Sequence, residues 1–175
     1  MLGSRGMDSG CYVDTSVIIA RYKPDDELYE HSERLFSRDD VKFYASPLTL
    51  VELYAVLSRL LDELLIPQGF EKDLDALVGF IVKDCKLNVV PHLYTLTLDF
   101  HARKIRMPLE YYLAFRYAGR LKLRALDLIH ICYAKILNEF YDVGFFVTGD
   151  EELLSKAEIA SELLKLRISH PRDIL

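Results

Sequence analysis

No stretch of the chain approaches the ~20 consecutive apolar residues that span a bilayer, so a membrane-embedded protein is not expected. The opening MLGSRGMDSG has no apolar core of the kind a secretory signal needs, which makes the cytoplasm the expected location. Cysteine is scarce. Cys11, Cys85 and Cys132 are odd in number, far apart and free of any Cys-x-x-Cys pairing, so a disulfide framework, a zinc site of paired thiolates and a dithiol redox motif are all excluded. Each has apolar neighbours and reads as a reduced core residue. Positive charge is not in excess either: 22 Lys and Arg against 27 Asp and Glu give a net charge of -5. That argues against a protein that coats nucleic acid over its whole surface, while leaving room for a local basic face. Internal repeats and low-complexity segments are absent as well.

What is present is the material of one globular domain. With 175 residues, 51% of them hydrophobic and 28% charged, the chain can bury roughly 70% of its unfolded surface. Residues 1–10, rich in Gly and Ser and without periodicity, read as a loose tail, and the domain is expected over 11–175. CYV at 11–13 and the VIIA run after Asp14 suit a strand buried on both faces, with Asp14 at its end. Residues 25–38 are amphipathic with helical spacing. VKFYA at 41–45 reads as a second strand, and Pro47 opens a largely apolar helix after Ser46.

Leu74, Leu77, Val78, Ile81 and Cys85 recur at helical spacing, and LNVV at 87–90 reads as a third strand ahead of Pro91. Residues 93–106 and 108–118 are read as two further helices separated by Pro108. A helix at 125–139, a strand at 143–147, helical EELLSKAEIASELL and a short strand at LRIS complete the pattern. Apolar strands separated by helices predict an α/β/α sandwich around a mainly parallel sheet of about five strands.

Four acids occupy positions that a purely structural chain would fill otherwise. Asp14 and Asp150 follow strands and also read as helix N-caps. Thr49-x-x-Glu52 and Thr148-x-x-Glu151 fit the capping-box pattern, but a helix start at Ser46-Pro47 places Glu52 more than a turn inside, between Val51 and Leu53. Asp127 is likewise flanked by Leu126 and Leu128. A charge in such surroundings is paired, shifts its pKa or binds a metal. Parallel strands present their carboxyl ends to ligands, so all four acids can converge on one sheet edge. Oxygen-only ligation suits Mg²⁺ or Mn²⁺, and phosphodiester hydrolysis is the natural use.

The segments YVDTSVIIA (12–20), ASPLTLVELYAVL (45–57), LRALDLIHICYAKIL (123–137) and VTGDEELLSKA (147–157) together resemble the PIN-domain nucleases, the family that includes the VapC toxins. The resemblance covers most of the chain outside 62–120. It implies a helix-flanked parallel sheet and a metal-dependent ribonuclease with Asp14, Glu52, Asp127 and Asp150 as its acidic pocket. Thr15, Ser16 and Thr148 match the hydroxyl residues that orient those acids or bound water. A homodimer and an antitoxin protein are the partners it implies besides RNA. The spacing of 75 positions between Glu52 and Asp127 exceeds that of compact family toxins, and 71–118 is expected to be an extra helical segment.

His130, three residues after Asp127, reads as a satisfied core residue more readily than as a phosphate contact. Glu151 and Glu152 suit the first turn of a helix. Residues 101–124 hold seven basic residues against one acid, with Tyr111, Tyr112, Phe115 and Tyr117 among them, the composition of a surface that grips phosphates and stacks bases. Arg116, Arg120 and Arg124 are its candidate RNA contacts. The alternatives are a catalytically silent RNA- or protein-binding module and a haloacid-dehalogenase-like phosphohydrolase, the latter weakened by Ser16 standing where a second Asp is needed.

Overall fold

A computed structural model describes residues 10–70, 73–92 and 94–174. The expected tail therefore falls, apart from Gly10, outside the described residues. In chain order the elements are β1 (Gly10–Val13), α1 (Thr15–Ala20), α2 (Tyr29–Phe36), β2 (Phe43–Ala45), α3 (Pro47–Leu60), α4 (Leu74–Asp84), β3 (Leu87–Val89), β4 (Thr95–Phe100) and β5 (Arg103–Pro108). They continue with α5 (Leu109–Leu121), α6 (Ala125–Tyr141), β6 (Val143–Val147), α7 (Glu151–Leu154), α8 (Ala157–Leu164) and β7 (Arg167–Ser169).

The main sheet has five strands in the order β3-β2-β1-β6-β7, and every neighbouring pair is parallel. Successive side chains leave a strand on opposite faces, and the two cores follow that alternation. Cys11, Val13, Phe43 and Ala45 join the residues of α1–α4 on one side. Tyr12, Tyr44, Phe146 and Ile168 join those of α5–α8 on the other. All four residues of β1 are buried, as a central strand covered on both faces requires. The expected α/β/α sandwich is the observed one. The three cysteines are buried and free, and burial pushes each thiol up to about 12, out of the reactive range. No helix among the described residues is long and apolar enough to cross a membrane.

Four expectations need correction. The VIIA run at 17–20 belongs to α1, not to a strand, because Asp14 opens a helix and a four-residue apolar run fits either element. The helix read over 93–106 is an antiparallel hairpin, β4–β5, in which Thr95–Phe100 alternates with period two. His101 and Ala102 close it with φ of 45° and 62°, the paired left-handed residues of a tight hairpin turn. The 71–118 insert is thus helix, strand, hairpin and the larger part of α5, not a helical segment throughout. Helix continuity also breaks at Ser155–Lys156, which separates α7 from α8.

Candidate active site

β1 and β6 lie side by side, and the strand order runs outward from them in opposite directions. An open α/β sheet leaves a crevice beyond its carboxyl ends at such a switch point. Asp14 directly follows β1, with its N–H donating to the Val147 carbonyl at 2.9 Å. Thr148 and Asp150 follow β6.

Both aspartates sit at helix N-caps but use their carboxylates differently. Asp150 caps α7, with Oδ1 accepting from the N–H groups of Glu152 (2.7 Å) and Leu153 (3.2 Å). Asp14 makes no capping bond. Its Oδ2 instead accepts from Ser16 Oγ (2.9 Å) and Thr148 Oγ1 (2.7 Å). The Thr148 hydroxyl also accepts the Asp150 N–H at 3.0 Å, so one buried side chain ties the two strand-end acids together.

Ser46 caps α3 and forms its capping box with Thr49, each side chain accepting the other's N–H at 3.2 Å. Glu52 is left free of any capping duty. Its Oε2 accepts from Thr15 Oγ1 at 2.5 Å and from His130 Nε2 at 2.8 Å. His130 is buried, and its Nδ1 lies 2.6 Å from the Tyr12 hydroxyl, which donates to Ser46 Oγ at 2.8 Å. His130 is therefore a satisfied core residue, and it also fixes an acid of the cleft. Burial alone would raise the Glu52 carboxyl, but the hydrogen bond and charge of His130 and the hydrogen bond from Thr15 prevail and hold it below the usual range.

Asp127 stands in the first turn of α6. Its Oδ2 is buried and accepts no hydrogen bond; the Arg124 guanidinium Nε is 3.4 Å away. Burial, together with the charges of Asp14 and Asp150, pushes this carboxyl above its ordinary value against the pull of Arg124 and His130. Arg124 spans the acids, with Nη2 at 3.4 Å from Asp150 Oδ2 and 3.2 Å from Glu152 Oε2. Of the three candidate arginines it alone reaches the site. Arg116 and Arg120 lie exposed on α5.

Asp14, Thr15, Ser16, Glu52, Asp127 and Asp150 line a single open cleft of about 460 Å³. Lys23 and Arg59 line it too, and sequence reasoning passed them by. Lys23 is paired with Glu63 at 3.1 Å, whereas the Arg59 Nε donates to the Ala55 carbonyl at 3.0 Å and the side chain has no carboxylate partner among the described residues. The position of Arg59, two helical turns after Glu52, was the available signal. Among the described residues no three His, Cys, Asp or Glu side chains are drawn close enough to hold an ion as they stand. Each acid leans on a local partner: Asp14 on hydroxyls, Glu52 on Thr15 and His130, Asp127 and Asp150 on Arg124. The donor set is still that of a hard cation, all oxygen and concentrated in one cleft, with the buried Asp127 Oδ2 accepting no hydrogen bond among the described residues.

A family model described as PIN domain matches residues 11–165. No curated protein matches the chain.

Proposed function

Because the chain belongs to the PIN domain family, we propose that it is an endoribonuclease that hydrolyses RNA phosphodiesters with the help of Mg²⁺ or Mn²⁺. The observation that carries this reading is the convergence of Asp14, Glu52, Asp127 and Asp150, from four separate elements, on one cleft at the switch point of the sheet. The family match displaces the dehalogenase-like alternative.

The same four acids would hold the ion. When bound, it supplies a nucleophile at neutral pH and neutralises charge that builds on the phosphoryl oxygens. The protein's share is positional. Thr148 and Ser16 fix the Asp14 carboxylate from two sides, and Thr15 and His130 fix that of Glu52. Glu52 stays ionised because its partners stabilise its charge. Asp127, whose ionisation burial opposes, gains from a cation beside it. Arg59, without an acid of its own among the described residues, is available to a phosphate entering the cleft.

A toxin role, in which an antitoxin protein silences the enzyme, is the finer part of this reading and rests on the resemblance to the VapC toxins. Incubation of mixed cellular RNA with the protein and Mn²⁺ tests the activity. Fragments with the wild type and none with Asp14→Asn are expected. Intact RNA in both, with metal binding verified, leaves a catalytically silent module instead.

A further inference from the structure

Among the described residues β4 and β5 pair only with each other and are not part of the main sheet. A lone two-stranded ribbon is marginal in water, so something must hold it. Here the Leu109 N–H donates to the Tyr94 carbonyl at 2.9 Å at the base, and the Phe100 ring meets Phe115 of α5 edge-on at 6.3 Å near the tip. The register places Leu96 opposite Met107 and Leu98 opposite Ile105 on one face, with Thr97 opposite Arg106 and Asp99 opposite Lys104 on the other. α5 covers the apolar face only in part. Leu96, Phe100 and Ile105 remain exposed, as do Tyr111 and Phe115 on α5.

Arg103 shares the face of Phe100, Lys104 and Arg106 stand on the ribbon's other face, and Arg116, Arg120 and Lys122 lie on or just past α5, all exposed. None of the six is ion-paired with a described residue; Lys104 and Asp99, opposite in register, make no salt bridge. Elsewhere Arg21, Arg34, Arg38, Lys86 and Lys135 each hold a carboxylate. Lys42, Arg59, Lys83, Lys156, Lys165 and Arg167 likewise pair with no carboxylate among the described residues, but they are spread over separate elements, whereas in a chain with five more acids than bases the six named first stand together on one ribbon and on or just past one helix. Self-repulsion in such a patch is relieved by a polyanion. Exposed rings beside the cations favour one whose unpaired bases can stack, a single strand over a duplex or an acidic protein. The path also leads to the cleft: α5 ends at Leu121, and Arg124, three residues on, touches Asp127 and Asp150.

We infer that the β4–β5 ribbon and the exposed side of α5 form a docking surface for single-stranded RNA, gripping phosphates with these cations, stacking bases on Phe100 and Phe115, and leading the strand past Arg124 toward the carboxylate cleft. Its last step rests on the nuclease reading; the binding itself does not.

The test is fluorescence anisotropy of a labelled, unstructured RNA oligonucleotide with Asp14→Asn protein in the absence of divalent ions, across a salt series. Two charge variants are compared with it, Arg103→Ala/Lys104→Ala/Arg106→Ala and Arg116→Ala/Arg120→Ala, together with Phe100→Ala/Phe115→Ala, each checked for an unchanged circular dichroism spectrum. Each charge variant is expected to weaken binding at least about tenfold and to flatten the log-log salt slope by about 0.7 per lost phosphate contact. The aromatic variant is expected to weaken binding about five- to tenfold with the slope preserved. A duplex of the same sequence should compete poorly. Unchanged affinity and slope in both charge variants overturn the inference. So does loss of self-association in place of RNA binding, which makes the patch a contact between copies. RNA bound through the ribbon but never cleaved by the wild type with Mn²⁺ overturns the nuclease reading alone. Cleavage at unchanged KM in the charge variants overturns the ribbon's role alone.

Discussion

His130 and Glu52 stand 78 positions apart in sequence and 2.8 Å apart in space, and their bond continues through Tyr12 into the cap of α3. The central strand, two helices and the cleft are therefore joined by one chain of polar side chains inside an apolar core. Removing its middle member takes one hydrogen bond each from Glu52 and Tyr12, which keep those to Thr15 and Ser46, and opens a void in the core. His130→Ala is expected to cost about 2–4 kcal/mol in urea denaturation, and Tyr12→Phe about 1–2 kcal/mol. An Ala variant as stable as wild type would show that the bonds contribute nothing net.

Two acids of the same cleft should respond to pH in opposite senses. Glu52 is held below its ordinary value, so its stabilising contribution is present above the usual carboxylate range and is lost as pH falls through the depressed value. Wild type should be more stable than Glu52→Gln at pH 7, with the gap closing in acid. Asp127 is raised, chiefly by burial, so its contribution is complete below the ordinary value and is lost as pH rises through the folded one. Without divalent ions, Asp127→Asn should match or exceed wild-type stability at pH 7.5 and lose that advantage near pH 4. Denaturant melts at the two pH values measure both, and an Asp127→Asn protein clearly weaker at pH 7.5 would contradict the burial argument.

Arg124 competes with any cation for Asp127 and Asp150. Its side chain is 70% exposed, which limits the effect to about 1 kcal/mol. Arg124→Ala should therefore bind Mn²⁺ about fivefold more tightly by calorimetry. Weaker binding would mean that the arginine supports the site instead of screening it.

Thr148 serves both strand-end acids through one hydroxyl. Thr148→Val keeps the shape and deletes both bonds. A ten- to hundredfold fall in RNA cleavage is expected, the range for groups that orient metal-binding side chains. Ser16→Ala, which leaves Asp14 with its buried partner, should lose less.

The sheet was legible because its strands are short apolar runs punctuated by Asp14, Pro47 and Pro91, and such boundaries need no tertiary information. Ser46-Pro47 likewise marked the start of α3 and so freed Glu52 from its apparent capping box. The hairpin was misread because TLTLDF and RKIRMP have no Asn-Gly or Asp-Gly between them; His101 and Ala102 take a conformation that their identities do not advertise. The four acids stood out as charges among apolar neighbours. What no local pattern carried was the partner of each acid. That Arg124 turns toward Asp150, that Thr148 reaches Asp14, and that Tyr12 points to His130 are facts of how strands and helices meet.

The main sheet ends on both sides in strands of only three residues, Leu87–Val89 and Arg167–Ser169. At one edge the Asn88 amide donates to the Phe43 carbonyl, and at the other the Arg167 guanidinium lies over the Phe145 ring at 4.2 Å. Edges this short, whose polar side chains reach inward to the neighbouring strands, give a passing strand little to add to. Short edges of this kind disfavour edge-to-edge pairing of the main sheet with another copy.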